Sequence, residues 1–147
     1  MNSFKANTEP DYLRRGTKGF KRAYIGLFLA GLATFAILYD VQPLLPTLAA
    51  SFKITPATAS LALSLTTVAL AVTLVITGSV SEAFGRKKIM ALAITLSSIL
   101  GITLAFPKYF SSLLVLRTLQ GLTLAGLPAV AMAYISEEIH PDSLGYA

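Results

Sequence analysis

The fold is decided by one stretch, residues 78–88, which reads Gly78-Ser79-Val80-Ser81-Glu82-Ala83-Phe84-Gly85-Arg86-Lys87-Lys88. It places one acidic and three adjacent basic side chains between two long segments that contain no charge at all. Hydrocarbon cannot hydrogen-bond a backbone, so an uncharged run of about 20 residues predicts a membrane-spanning helix. A short basic connector between two such helices is retained on the cytoplasmic side. The stretch therefore predicts a membrane protein and shows which side of it faces the cytoplasm.

The composition supports a bilayer protein. Hydrophobic residues make up 54% of the chain and charged residues only 13%, against roughly a quarter charged in soluble domains. The net charge of +5 comes from basic residues in the amino-terminal tail and in one connector, where membrane topology requires them, so no nucleic-acid partner is expected. The composition therefore predicts the lipid bilayer as a partner.

The residue inventory gives no indication of an enzyme or a cofactor. The chain has no cysteine and a single histidine, His140, which lies outside the apolar segments. A Ser–His pair within the membrane is therefore not available, and no metal-ligand cluster or phosphate-cradling glycine loop is present in the sequence. We expect neither a cofactor nor a bound metal.

Four apolar segments predict four transmembrane helices, at approximately residues 23–48, 60–80, 89–106 and 109–135, within a membrane region of residues 23–136. Residues 1–22 form a basic tail, and residues 137–147 begin a loop. Because basic residues concentrate in the tail and at residues 86–88, the positive-inside rule places both on the cytoplasmic side of the plasma (inner) membrane. The loop at residues 137–147 is then cytoplasmic as well.

Two charged residues, Asp40 and Arg117, interrupt the predicted spans. Each costs at least about 2.5–3.5 kcal/mol at mid-membrane and should face a protein interior or a wet cavity. A rise of about 1.5 Å per residue places Asp40 near the outer edge of the hydrocarbon and Arg117 near its midplane, of order 10 Å apart along the membrane normal. Helical side chains lean toward the helix amino terminus, so the two lean toward each other, and a direct or water-bridged pair is feasible.

The sequence leaves the roles of these two residues open. Asp40 is a candidate proton-coupling residue with Arg117 as its partner, or it caps a bent helix end in the headgroup layer, since Pro43 and Pro46 follow closely. Arg117 serves either a function in the cavity or a buried structural partner. Gln120, one helical turn after Arg117, and Gln42, near Asp40, are candidate substrate-cavity residues.

Small residues recur every fourth position on the last predicted helix, at Gly121, Ala125 and Ala129. Such a stripe lets two helix backbones approach closely in lipid, and it predicts a packing seam. The connector between the third and fourth predicted helices is so short that these two helices should be antiparallel neighbours.

The connector at residues 78–88 allows two interpretations. Glu82 and Arg86 are four residues apart, so a helical turn would pair them, and Gly78 and Gly85 permit close approach or an unusual backbone. It is either a functional motif or a tight basic turn that serves topology alone.

The same residues resemble the signature between helices two and three of the major facilitator superfamily, usually Gly-x-Leu-Ala/Ser-Asp-Arg-x-Gly-Arg-Arg/Lys. The segment from Asp40 to Pro46 resembles the acidic, proline-containing end of helix one in that family, and Arg117-x-x-Gln120-Gly121 resembles a helix-four motif of its proton-coupled members. Glu82 stands in place of the usual aspartate and Ala83 in place of a base. The nearest likeness is to bacterial inner-membrane, efflux-type members.

The resemblance implies an all-α membrane protein whose four helices correspond to the first third of a twelve-helix fold, with solute bound between two halves. It implies proton-coupled efflux of a small organic solute. It also implies a cytoplasmic gate made of Gly78, Glu82, Gly85 and Arg86 with an acid after helix four, either Glu137 or Glu138. The absent carboxyl-terminal helices of the same transporter would be partners of this segment.

Two alternatives remain open from the sequence. The chain is either a truncated or fragmentary transporter that does not transport by itself, or a small four-helix exporter that acts as a homodimer with Asp40 as its shared carboxylate.

Overall fold

The computed structural model describes residues 17–131, without the side chains of Val80, Glu82, Ala83 and Lys87. Within that range every regular element is helical. In order, the elements are α1 (Lys18–Tyr39), a 3-10 turn (Gln42–Leu44), α2 (Leu45–Phe52), α3 (Pro56–Ala59), α4 (Leu61–Phe84), α5 (Arg86–Thr103) and α6 (Phe110–Leu124). The predicted all-α class is confirmed.

Three stretches of the described chain are long and apolar enough to cross a bilayer: Lys18–Phe52, Pro56–Ser79 and Phe110–Ala131. The predicted span at residues 89–106 corresponds to a shorter apolar helix, Lys88–Thr103. Three basic residues occupy the first turn of α5 and reduce its apolar length. At about 1.5 Å per residue, its 18 residues still extend about 27 Å, close to the thickness of the hydrocarbon.

The first predicted span bends near its carboxyl end, as the prolines indicated, because a 3-10 turn stands between two α-helical segments of one apolar stretch. α1 ends at Tyr39, and the 3-10 turn that contains Pro43 leads into α2, which has Pro46 in its first turn. A proline is tolerated there because the first amide groups of a helix have no acceptor within the helix. The chain is therefore interrupted directly after Asp40, which is the carboxyl-terminal cap of α1.

The turn between α4 and α5 is a single residue, Gly85, with a φ of +91°. Residues that carry a side chain rarely adopt this backbone conformation, whereas glycine does so readily. Gly78, in contrast, lies inside α4 with open space around it. The helix therefore ends before Arg86, which is the first residue of the next helix rather than part of the same turn as residue 82.

Helix α6 is the centre of the structure and packs most extensively against α4 and α5, whereas α1 makes fewer contacts, chiefly with α4. Just over half of the apolar stretch that contains α6 is buried (56%), against 22% for each of the other two long stretches. The adjacency of α5 and α6, expected from their short connector, is confirmed.

The predicted small-residue stripe lies in these interfaces. A Cβ atom on Gly121 would overlap the backbone carbonyl of Thr66 on α4, and Ala125 and Ala129 are buried. The helix is interrupted at Ala125 and resumes over residues 126–131. Pro128 explains the interruption, because it has no amide hydrogen to donate to the carbonyl of Leu124 four residues earlier.

Candidate functional site

Asp40 and Arg117 form a direct ion pair. Nη2 of Arg117 donates to Oδ1 of Asp40 at 2.6 Å, across the gap between α6 and the end of α1. The side chain of Asp40 is 48% exposed and that of Arg117 only 5%. The pair thus joins a buried cation to a carboxylate that the described helices leave about half uncovered.

The break after α1 makes this contact possible. Nη1 of Arg117 also donates to the carbonyl oxygen of Ile37, in the last turn of α1, at 3.4 Å. Carbonyl groups at a helix carboxyl end lack amide partners within the helix and carry partial negative charge, so a guanidinium is favourable there. Arg117 therefore neutralises a carboxylate and caps a helix end at the same place.

Gln120 continues the polar contacts into the interior. Its Oε1 accepts a hydrogen bond from Nη1 of Arg117 at 2.8 Å, and its Nε2 donates to the carbonyl oxygen of Ser97 on α5 at 3.4 Å. The residue is 1% exposed. This buried position differs from the expectation that Gln120 faces a substrate cavity.

The hydroxyl groups of Ser97 and Thr123 extend these polar contacts beyond Gln120. Oγ of Ser97 lies 2.9 Å from Oγ1 of Thr123, and Oγ1 of Thr123 donates to the carbonyl oxygen of Gln120 at 3.0 Å. We call these five residues the polar network: Asp40, Arg117, Gln120, Ser97 and Thr123. Ser97 and Thr123 were not predicted from the sequence, because nothing in an apolar helix distinguishes a serine that faces a neighbour, such as Ser97, from the exposed Ser98 beside it.

A pocket of about 250 Å³ opens onto the ion pair. Asp40 and Arg117 supply its charged groups, and the rest of its lining is apolar or small: Val41, Leu44, Leu48, Gly101, Leu104, Ala105 and Leu113. Gln42, the other predicted cavity residue, is exposed and is not part of this lining. We call this space the Asp40 pocket.

The predicted cytoplasmic gate is described only in part. Gly85 and Arg86 lie at the junction of α4 and α5, and Gly78 lies within α4, seven residues before Gly85. The side chain of Glu82, and the whole of Glu137 and Glu138, lie outside the described residues. Within residues 17–131, no three histidine, cysteine or acidic side chains come together as a metal site would require.

Comparison with known proteins identifies the family. The sequence matches the profile of the Major Facilitator Superfamily over residues 23–147. It is 52% identical, over 92% of its length, to YybF of Bacillus subtilis, named as an MFS-type transporter, and 46% identical, also over 92%, to YnfM of Escherichia coli, named as an inner membrane transport protein. It is 36% identical, over 74% of its length, to a probable 4-methylmuconolactone transporter of Cupriavidus pinatubonensis.

The matched region is a part of each relative. The chain spans about a third of the length of YybF and YnfM (34% and 33%) and 26% of the Cupriavidus protein. No solved structure matches the chain significantly. Since the family profile covers most of the sequence, the chain is a multi-pass membrane protein that belongs to the Major Facilitator Superfamily, whose members are transporters rather than enzymes.

Proposed function

We propose that this segment belongs to a proton-coupled transporter that exports a small organic solute across the bacterial inner membrane. Its helices act together with further helices of the same polypeptide, because the relatives are about three times as long as the matched region. This length ratio favours a large transporter over a four-helix homodimeric exporter. The names of the Escherichia coli and Cupriavidus relatives support the inner membrane and a small organic solute.

The observation that carries the proposal is the ion pair between Asp40 and Arg117 at the Asp40 pocket. In this proposal Asp40 takes up a proton when water access alternates between the two sides of the membrane, and protonation removes its attraction to the guanidinium. A charged pair within a membrane segment is costly, so it marks a functional site. Asp40 is then the proton carrier, and Arg117 is the group that senses its charge.

The proposed topology places the amino terminus and the junction of α4 and α5 in the cytoplasm. Arg86, at the start of α5, then stands at the cytoplasmic surface. We place the cytoplasmic gate there, with Glu82 and either Glu137 or Glu138 as acids that hold neighbouring helices together when the transporter is closed to the cytoplasm.

The test uses inverted membrane vesicles that contain the transporter with this segment and a dye that reports an inside-acid pH gradient. With the parent protein, adding a transported solute should let protons leave the vesicle lumen in exchange for that solute. The first solute to add is 4-methylmuconolactone, followed by other small organic acids and lactones. Asp40→Asn should abolish this release at unchanged protein abundance. Asp11→Asn, the same change in the tail, is the matched control and should leave it intact.

Proton release that continues in Asp40→Asn would remove Asp40 from the coupling step. If protons entered the lumen with the parent protein, the proposed export direction would be wrong. The role of Asp40 would then be judged from Asp40→Asn alone.

A further inference from the structure

The amide of Gln120 has both ends engaged. One end accepts from Arg117 at 2.8 Å, and the other donates to the backbone carbonyl of Ser97 at 3.4 Å. A side chain with no remaining exposed polar atom has little to offer a passing solute. Its role must lie in the contacts that it already makes.

Arg117 needs more than one acceptor if Asp40 changes charge. The arginine is 4% exposed, and its guanidinium remains protonated in proteins. A buried ion whose partner is lost is strongly destabilising, because nothing compensates the removed water. If Asp40 takes up a proton, the charge of Arg117 is left with Oε1 of Gln120 and the carbonyl oxygen of Ile37.

The acceptor on Gln120 is held in place independently of Asp40. Its amide is tied to a main-chain carbonyl of α5, and α5 and α6 are closely packed. Gly101 on α5 lies beside this amide: a Cβ atom there would be 3.5 Å from Nε2 of Gln120, an ordinary van der Waals contact. No atom of α1 takes part in this anchoring, so movement of Asp40 does not remove it.

We propose that Gln120 is a positioning residue that holds the Arg117 guanidinium while Asp40 is protonated. This inference rests on the proposed function, because it assigns Gln120 a part in the same proton cycle. The amide oxygen of Gln120 continues to accept a hydrogen bond from the buried guanidinium. It thereby holds Arg117 beside Asp40, so that the ion pair forms again when the proton leaves. Ser97 contributes through its backbone, as the anchor on α5.

The test is a double-mutant cycle on purified protein in lipid nanodiscs, and it needs no solute. Asp40→Asn represents protonated Asp40. Gln120→Met keeps the length of the side chain but removes the amide oxygen that accepts from Arg117. We expect each single variant to fold, and the double variant to lose more stability than the sum of the two losses. Thr118→Val is the matched control, because among the described residues the Thr118 hydroxyl donates only to the carbonyl oxygen of Leu114, within α6. Combined with Asp40→Asn, it should give additive losses.

A second measurement reports Arg117 directly. Guanidinium protons of Arg117, observed by nitrogen-15 NMR and assigned with Arg117→Lys, should exchange slowly in Asp40→Asn and about tenfold faster in the double variant, as expected for loss of a hydrogen bond to a charged group. Equal exchange in the two variants, or additive losses of stability, would overturn the role of Gln120. Either result leaves the proton-release assay of Asp40→Asn untouched, so the two proposals fail separately.

Discussion

At the scale of single residues, the geometry of one arginine side chain organises the site. Arg117 donates from Nη2 to Asp40 and from Nη1 to both Gln120 and Ile37. A guanidinium presents five N–H donors in a fixed plane, so one side chain can join two helices. Lysine carries the same charge on a compact ammonium group, which lacks this planar fork.

Arg117→Lys should therefore keep the charge but lose at least one of the three hydrogen bonds. We expect transport in the proton-release assay to fall roughly tenfold or more, since a hydrogen bond to a charged group is worth about 1.5–3 kcal/mol. Protein abundance should remain near that of the parent. Parental transport in Arg117→Lys would show that the charge alone is sufficient and that the fork geometry is not used.

At the scale of helices, α6 lies close against α4 at Gly121. Lipid provides no hydrophobic drive for helix association, so close backbone approach supplies the stability. A Cβ atom at this position would overlap the carbonyl oxygen of Thr66 and lie 3.1 Å from Cβ of Ala69. Backbone atoms of a packed helix cannot move aside as a flexible side chain does.

Gly121→Ala should destabilise the protein by about 1–3 kcal/mol, the usual cost of overpacking. The measurement is unfolding of the purified protein in detergent. Gly26→Ala is the matched control: Gly26 is also inside a helix, but it has open space around it. That change should be neutral or stabilising by up to about 1 kcal/mol, because alanine is the better helix former. Equal destabilisation by both changes would contradict close packing at Gly121.

The junction of α4 and α5 depends on backbone conformation rather than on packing. Gly85 has a φ of +91° and no neighbouring atom that would obstruct a side chain. Gly85→Ala should therefore cost about 1–3 kcal/mol through strain alone. Gly78→Ala, seven residues earlier in α4 and also in open space, should cost nothing. The same unfolding measurement compares them, and a tolerated alanine at Gly85 would show that the junction adopts another backbone conformation.

At the scale of the whole molecule, the proposed topology places the α4–α5 junction and the α5–α6 connector on opposite sides of the membrane. The chain has no cysteine, so a single introduced thiol reports its own side without background. Phe84 and Lys108 are both exposed. Lys108→Cys should react with a membrane-impermeant maleimide in intact spheroplasts, and Phe84→Cys only after the membrane is permeabilised. The reverse pattern would overturn the proposed orientation.

Much of the architecture follows from composition and charge. A bilayer accepts only elements whose backbone polar groups are satisfied internally, so the uncharged runs predict helices, and the two charges within them identify Asp40 and Arg117 as exceptional. The motifs at residues 78–88, 40–46 and 117–121 indicated the family that the comparisons establish. Pro43 and Pro46 indicated an interruption in the first span, although not that a separate helix, α2, follows it.

Only the tertiary structure decided which face of each helix is buried. In water, an apolar stripe marks the buried face of a helix, but a helix in lipid is apolar all round, so its sequence carries little directional signal. The packing of α6 against α4 and α5 therefore determined that Gln120 is enclosed while Gln42 is exposed, and that Ser97 faces Thr123 while Ser98 does not. The sequence alone determined which residues carry charge in the membrane, whereas the rotation of α6 between its neighbours determined which groups those charges meet.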